Sequence, residues 1–413
     1  MKITIITHGI PNSHSEQANN DPLLFLKFFE KKKVKFDLIS IWDYDYNTSK
    51  KSRKYQENFI KNNFKQLQFF KVLSFRKDFF TKISRFFLRI LTSNSQYFYG
   101  DKKIHRTVLK LVKKRNSKIV LNFFELPASI FANEKEINVF NYLGVARRNS
   151  ELLRVKNLLK KFNLLQIFRV LNAAIYIWKM NTIYDKFLSN AKLNLFAAVD
   201  SYNLFKKRYK NIHFSGPLSN FRKVKKKNEK KIPVVLMIGA LNSNFMQDSL
   251  SMVANSAIKL NEIYKKKKFK LRIVGKSKPP INIQKKLNFP WVEFAGWVES
   301  SEKEYQNASY LFCPNSISAG PRTKLLESAS SKVCIITTQE NIKYFFPHFH
   351  NNTDMIVAKN MSQFCNGFEK VLLNKKLRIK MVNSAKEKYI KYHSPSNILS
   401  NNLYLIKKYS KIK

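Results

Sequence analysis

Short apolar runs alternate with longer amphipathic stretches along the chain. In the N-terminal half, Lys2 to Thr7, Val34 to Ile41, Lys118 to Phe124, Ile137 to Leu143 and Leu193 to Val199 read as strands. Longer stretches that read as helices separate them, which argues for a parallel sheet with helices on both faces. Two of these stretches, roughly Tyr55 to Leu91 and Glu151 to Ser189, mix basic residues with large apolar ones. They read as amphipathic helices, either packing a Phe face on the sheet or laying a basic-aromatic face on anionic lipid.

A polar, highly charged segment from Pro217 to Lys231 follows and reads as an interdomain linker. The alternation then restarts with Val234 to Gly239, Leu271 to Gly275, Trp291 to Gly296, Leu311 to Pro314, Val333 to Thr338 and Met355 to Ala358. Between the first two, Leu250, Val253, Ala254, Ala257 and Ile258 fall on one helical stripe and are expected in the core. The pattern predicts an α/β protein with two Rossmann-like, doubly wound domains, residues 1–216 and 232–395. A last helix, 396–413, follows Ser394-Pro395 and is expected to pack back on the first domain.

Length agrees with two cores, since 413 residues exceed what one ordinary domain holds. The first apolar run is too short for a signal peptide. The longest, Ile167 to Trp178, carries Arg169 and Asn172 and is too short to span a bilayer. The expectation is a cytoplasmic protein, soluble or peripheral at the inner membrane face. Cys313, Cys334 and Cys365 cannot pair without a remainder, and the first two lie in apolar runs, as small buried thiols do. Charge changes the picture more. With 77 basic and 27 acidic residues, the formal charge of +50 attracts polyanions, an anionic membrane or nucleic acid. No nucleic-acid module is recognisable, so no specific nucleic-acid partner is expected.

The most informative segment is Leu311 to Ser330, LFCPNSISAGPRTKLLESAS. A buried strand ends at Pro314, and a loop of small residues follows, including Ser318, Ala319 and Gly320. Pro321 then occupies a helix's first position, where a missing N–H costs nothing. Free backbone N–H groups at a helix start, beside the end of a parallel sheet, form an anion site. Arg322 and Lys324 add cations on the first turn, and Glu327 lies on the same face as Lys324. The set suits a nucleoside diphosphate, with amides and cations on the phosphates and the carboxylate on the ribose hydroxyls. An ordinary helix with a solvated charge pair is the alternative.

Gly320 to Thr338, GPRTKLLESASSKVCIITT, resembles the donor-site helix and following strand of the retaining glycosyltransferases of family 4. Ile238 to Asn244, Leu271 to Lys276 and Val292 to Glu299 match that family's other signposts in order, over about 170 residues. The N-terminal half resembles the family only in outline. The resemblance implies a GT-B fold, with the two domains facing a cleft, and a nucleotide-diphosphate sugar as donor substrate, with no obligatory cofactor. It assigns the ribose to Glu327 and the pyrophosphate to Arg322 and Lys324. Gly296, Trp297 and Val298 would contact the base through backbone groups, while Gly239, Gly275 and Lys276 close the phosphate side. The chain departs from the family at Ala319, where many members carry a Glu on the donor sugar, and at Ala240 and Gln247, near a usual basic pair. The departures leave open a catalytically inactive scaffold or partner subunit.

In the N-terminal half, His8 and Gly9 follow the first strand, where the resemblance puts an acceptor loop. Asn122 and Glu125 at another strand end, and Arg147 with Arg148, are weaker acceptor candidates, the arginines for an anionic acceptor such as a lipid pyrophosphate. Asp43-Tyr44-Asp45 resembles the metal-binding motif of single-domain glycosyltransferases but stands without that fold's other features, and His348-Phe349-His350 lacks a third ligand. No metal site is expected. The resulting expectation is a sugar transferred from a nucleotide sugar, with retention, to a saccharide or lipid-linked acceptor of cell-surface polysaccharide synthesis.

Overall fold

The computed structural model describes residues 1–12, 17–43, 50–75, 87, 102–144, 152, 155, 159, 164–219, 231–316, 323–342 and 348–410. The chain divides into two compact units. Met1–Asn220 with Pro395–Lys413 forms the first, and Phe221–Ser394 the second.

The first unit is built on seven parallel strands: β1 Lys2–His8, β2 Lys35–Asp43, β3 Leu67–Phe75, β4 Ile119–Phe123, β5 Asn138–Leu143, β6 Leu193–Phe196 and β7 Ile212–Phe214. Their order in the sheet is β3-β2-β1-β4-β5-β6-β7. The second carries β8 Val234–Ile238, β9 Lys270–Val274, β10 Val292–Gly296, β11 Tyr310–Cys313, β12 Cys334–Thr338 and β13 Ile356–Ala358, ordered β10-β9-β8-β11-β12-β13. Both orders reverse direction once, between β1 and β4 and between β8 and β11. These are the Rossmann switch points, and a crevice opens there at the carboxyl ends of the strands. The central strands are buried on both faces, as β4, β11 and β12 are throughout, so they read as continuous apolar runs.

Four expectations need correction. The stretch read as one helix from Tyr55 to Leu91 contains a helix, Lys50–Asn63, and then strand β3, which pairs along β2 from Phe36↔Leu67 to Asp43↔Phe75. Phe69 and Phe70 therefore belong to a sheet edge and not to a membrane-facing helix. Leu193 to Val199 is a strand only to Phe196, and Val199 opens the helix Val199–Phe205. The linker does not begin at Pro217: Leu218 and Ser219 are buried, Leu218 within the core of the first unit. Ile258 is 77% exposed, because the helix stops at Asn255 and restarts at Ala257. That break rotates the second helix and gives the core Leu260 and Ile263 instead.

The last helix, Pro395–Ser410, packs on the helix Gln17–Lys31 and on β6 through Ile398, Leu399, Leu403 and Ile406. Asn402 and Ser215 close a buried hydrogen-bonded pair with it, Asn402 Nδ2 donating at 2.8 Å. Cys313, Cys334 and Cys365 are buried thiols outside any disulfide.

Candidate functional site

The second sheet ends in glycine on three neighbouring strands. Gly239 follows β8, Gly275 follows β9, and Gly296 closes β10. Gly239 N–H donates to Val274 O at 3.0 Å and Gly275 N–H to Gly296 O at 2.8 Å, so the three form one ledge at the carboxyl edge. Gly275 has no room for a side chain, since a Cβ there would overlap the Gly239 carbonyl. Trp297, next after β10, is 69% exposed beside this ledge, and Lys276 is exposed after β9. Val298 is half-buried.

Across the switch point stands the helix Thr323–Ser330. Its Lys324 reaches back to β8 and donates to Ile238 O at 2.6 Å, and a Cβ at Gly239 would lie 3.1 Å from the ammonium. One turn on, Glu327 accepts a 2.8 Å hydrogen bond from the hydroxyl of Tyr305, on the helix Ser301–Asn307. Burial raises the Glu327 carboxyl above its usual range, while the Tyr305 hydrogen bond and the Lys324 charge pull it down. The same burial, with the Glu327 charge, raises Tyr305. Lys324, Glu327, Gly239, Gly275 and Gly296 are thus brought to one edge. Ser318, Ala319, Gly320 and Arg322 lie outside the described residues.

The approach to that segment is pinned from two sides. Asp248, on the helix Asn244–Asn255, accepts from Ser316 N–H and Ser316 Oγ, both at 2.7 Å, and Ser249 Oγ donates to Pro314 O at 2.5 Å. On the other side Asn315 N–H donates to Thr338 Oγ1 at 3.0 Å, and Asn341 Nδ2 to Cys313 O at 2.6 Å. Asp248, Ser249, Tyr305 and Asn341 were not singled out in the sequence. Their partners lie 22 to 68 residues away, so no local spacing reveals them.

In the first unit the corresponding edge holds His8 and Glu125. β1 and β4 pair through Ile6↔Asn122, so two residues further on each strand bring His8 and Phe124 to the same end. His8 is half-buried, and Gly9 is held by Gly9 N–H donating to Ile41 O at 2.8 Å. Phe124 has φ 69° and ψ −179°, a region that only glycine enters readily, at a cost of roughly 1–3 kcal/mol. Its N–H bond to Tyr142 O at 2.8 Å and its ring, packed over Gly144, hold it there. Glu125 is buried and accepts from the Tyr184 hydroxyl at 2.8 Å. Asn122 is fully buried, and its amide is committed to a ladder across three strands: Asn122 Nδ2 to Asn141 Oδ1 at 3.0 Å and Asn141 Nδ2 to Asn194 Oδ1 at 2.8 Å. Arg147 and Arg148 lie outside the described residues.

His348 stacks on Tyr392 with ring centroids 4.0 Å apart. Asp43 ends β2, while Tyr44 and Asp45 lie outside the described residues. Among the described residues no group of three His, Cys, Asp or Glu is placed to hold a metal ion.

The family described as Glycosyl transferases group 1 matches residues 232–374, the greater part of the second unit. The second unit is a group 1 glycosyl transferase domain. By that match the chain is a glycosyltransferase, an enzyme that moves a sugar. No match is found among curated proteins. Among solved structures, the chain is similar over its whole length to a glycosyltransferase of Rickettsia africae, at 14% identity and a TM-score of 0.63, covering 100% of this chain and 99% of that one. It is similar to the sucrose-phosphate synthase of Thermosynechococcus elongatus, at 10% identity and a TM-score of 0.68 with 98% of each chain covered. The HepE protein of Anabaena, solved in complex with UDP, aligns at 8% identity and a TM-score of 0.66, covering 99% of this chain and 100% of that one. At such identities the likeness is one of fold, and the two Rossmann-like units are those of a GT-B glycosyltransferase.

Proposed function

We propose that the carboxyl edge of the second sheet binds the nucleoside diphosphate of a sugar donor, and that the sugar passes with retention to a saccharide or lipid-linked acceptor. The supporting observation is the convergence of Lys324, Glu327 and the glycine ledge. The glycines, having no side chains, let the diphosphate approach the sheet edge closely, and Lys324, oriented by the Ile238 carbonyl, neutralises it. Glu327, positioned by Tyr305, accepts from the ribose hydroxyls. Breaking the sugar–phosphate bond builds negative charge on the leaving diphosphate. Cations and amides fixed in advance where that charge develops stabilise the transition state more than the bound donor. Arg322 serves the same phosphates in this reading. Protein cations supply the neutralising charge, so the reading requires no metal. Retention rests on the family resemblance alone. Uridine is the first base to try, because the similar HepE structure holds UDP.

His8 and Glu125 are assigned to the acceptor, since both stand at the switch point of the first sheet. An acceptor carried on a membrane suits the helix Leu164–Leu188, on which Phe168, Leu171 and Trp178 are exposed by 62%, 47% and 77%. Among the described residues no helix is long and apolar enough to cross a membrane. Peripheral attachment at the inner face, helped by the +50 charge, is the reading adopted for surface-polysaccharide synthesis. The test is thermal stabilisation of the purified protein by a panel of nucleoside diphosphates, followed by donor hydrolysis and transfer. A chain stabilised by none of them would overturn the donor site.

A further inference from the structure

The opposite end of the second sheet carries a concavity that the donor site does not use. Pro233, just before β8, and Tyr310, the first residue of β11, lie at the amino edge of a parallel sheet. Here a pocket of about 290 Å³ is lined by seven residues, four of them the cations Lys231, Lys267, Lys375 and Arg378, and none acidic. A water molecule occupies roughly 30 Å³ of liquid, so the space holds a phosphate group with several waters.

The cations are arranged by the fold. Arg378 is 6% exposed, and its guanidinium lies over the Tyr310 ring at 5.3 Å from the centroid, which holds the planar fork in one place. Tyr310 is itself anchored, its hydroxyl donating to Val371 O at 3.1 Å. Lys267 is tethered by a 2.7 Å bond from its ammonium to Leu372 O. Lys375 and Arg378 both come from the first turn of the helix Lys375–Lys388. In a chain with 77 basic residues, solvated surface lysines are the ordinary expectation. A buried, ring-braced arginine at the bottom of a pocket with three lysines at its walls is a different arrangement. Like charges converging on one concavity repel, and an anion seated among them relieves the repulsion.

The geometry points to a second anion site here, for a phosphate group, separate from the donor edge. β11 is four residues long, so about 13 Å of strand lies between the two. The phosphate is either a free ion or the headgroup of an anionic lipid, and the two sources make different predictions.

The test uses the full-length protein carrying Lys324→Ala, which disables the donor edge without touching this pocket. Calorimetric titration with inorganic pyrophosphate, at constant ionic strength, is expected to show saturable binding. Adding Lys231→Ala and Lys375→Ala, both exposed side chains, is expected to weaken it by about tenfold with an unchanged circular dichroism spectrum. Identical titrations with and without those two lysines, or heats that never saturate, would overturn the site. Flotation with phosphatidylglycerol vesicles identifies the source. If the double substitution also lowers flotation relative to Lys324→Ala alone, the ligand is a lipid headgroup. If flotation is unchanged while pyrophosphate binding falls, it is a free phosphate.

Discussion

Gly275 lies against Gly239 so closely that a methyl group on the one would overlap the carbonyl oxygen of the other. The obstacle is backbone on the neighbouring strand, not a side chain able to swing away. Gly275→Ala must therefore push β8 and β9 apart at the ledge. Overpacking of this kind costs typically about 1–3 kcal/mol. The unfolding free energy from urea denaturation is expected to fall by that much, and the stabilisation by nucleotide to shrink with it. A variant as stable as the parent would mean that the ledge is not the close-packed surface described.

Glu327 gives a pH dependence with a definite sign. Burial raises its carboxyl, so the folded state prefers the protonated acid. The resulting stability is fully present below the ordinary carboxylate range and is lost as pH rises through the raised value. Above the raised value the charged form strains the fold, and Glu327→Gln should melt higher than the parent there. The difference should disappear in acid. Nucleotide binding should move the other way, weakening by about tenfold or more with the loss of a charged acceptor for the ribose. A variant that melts lower than the parent throughout the alkaline range would show that the carboxylate stabilises the fold.

Lys324 tests the chemical step. Lys324→Ala removes the cation from the end of β8, and the helix Thr323–Ser330 remains anchored by the buried Leu325 and Leu326. Loss of one preorganised group facing developing charge typically lowers kcat by about 10²–10³-fold. Transfer from the donor should fall by that order with little change in circular dichroism. Undiminished transfer would remove Lys324 from the site.

How far the sequence revealed this follows from how local each feature is. The second sheet was legible strand by strand because each strand is an apolar run closed by Gly, Pro or a polar turn. β3 was not: Leu67–Phe75 carries five Phe and Leu residues on both parities with Gln68 and Lys71 among them, and no Gly or Pro separates it from the preceding helix. β7 has three residues, too few to show any period. At the carboxyl edge of the second sheet, the adjacency of Lys324 and Glu327 could be read because a helix turn makes them neighbours. Tyr305 and Asp248 could not, since only the assembled sheet brings them to Glu327 and Ser316. The strain at Phe124 left no trace either, because a Phe in that conformation breaks the local preference that sequence reading depends on.

The amide ladder makes a prediction about stability. Asn141 sits between two buried amides, accepting from Asn122 and donating to Asn194. Asn141→Ala deprives both of their partner in a fully buried layer, and each orphaned group costs roughly 1–3 kcal/mol. The combined loss should be about 2–6 kcal/mol in a denaturation experiment. Asn194→Ala should cost less on the ladder's account, because it strands one amide of the ladder instead of two. Because Asn194 also donates to Leu188 O, the deciding comparison is the double substitution of Asn122 and Asn141: strictly additive losses would argue against a connected ladder.

The exposed face of the helix Leu164–Leu188 carries the membrane reading now that β3 has taken Phe69 and Phe70. Phe168, Leu171 and Trp178 recur at three and seven residues and fall on one side, and Arg169 is exposed beside them. Lys179, itself buried, holds its ammonium 5.5 Å from the Trp178 ring. Burying one large apolar side chain fully is worth about 1.5–3 kcal/mol, so losing two should shift a partition equilibrium by tenfold or more. Phe168→Ser with Trp178→Ser is expected to reduce flotation on phosphatidylglycerol vesicles by that factor, and the parent's tryptophan emission should move to shorter wavelength on binding. Rising salt should weaken the parent as well, because the anionic surface contributes. If the double substitution floats as well as the parent, the apolar face has another role and the attachment is electrostatic alone.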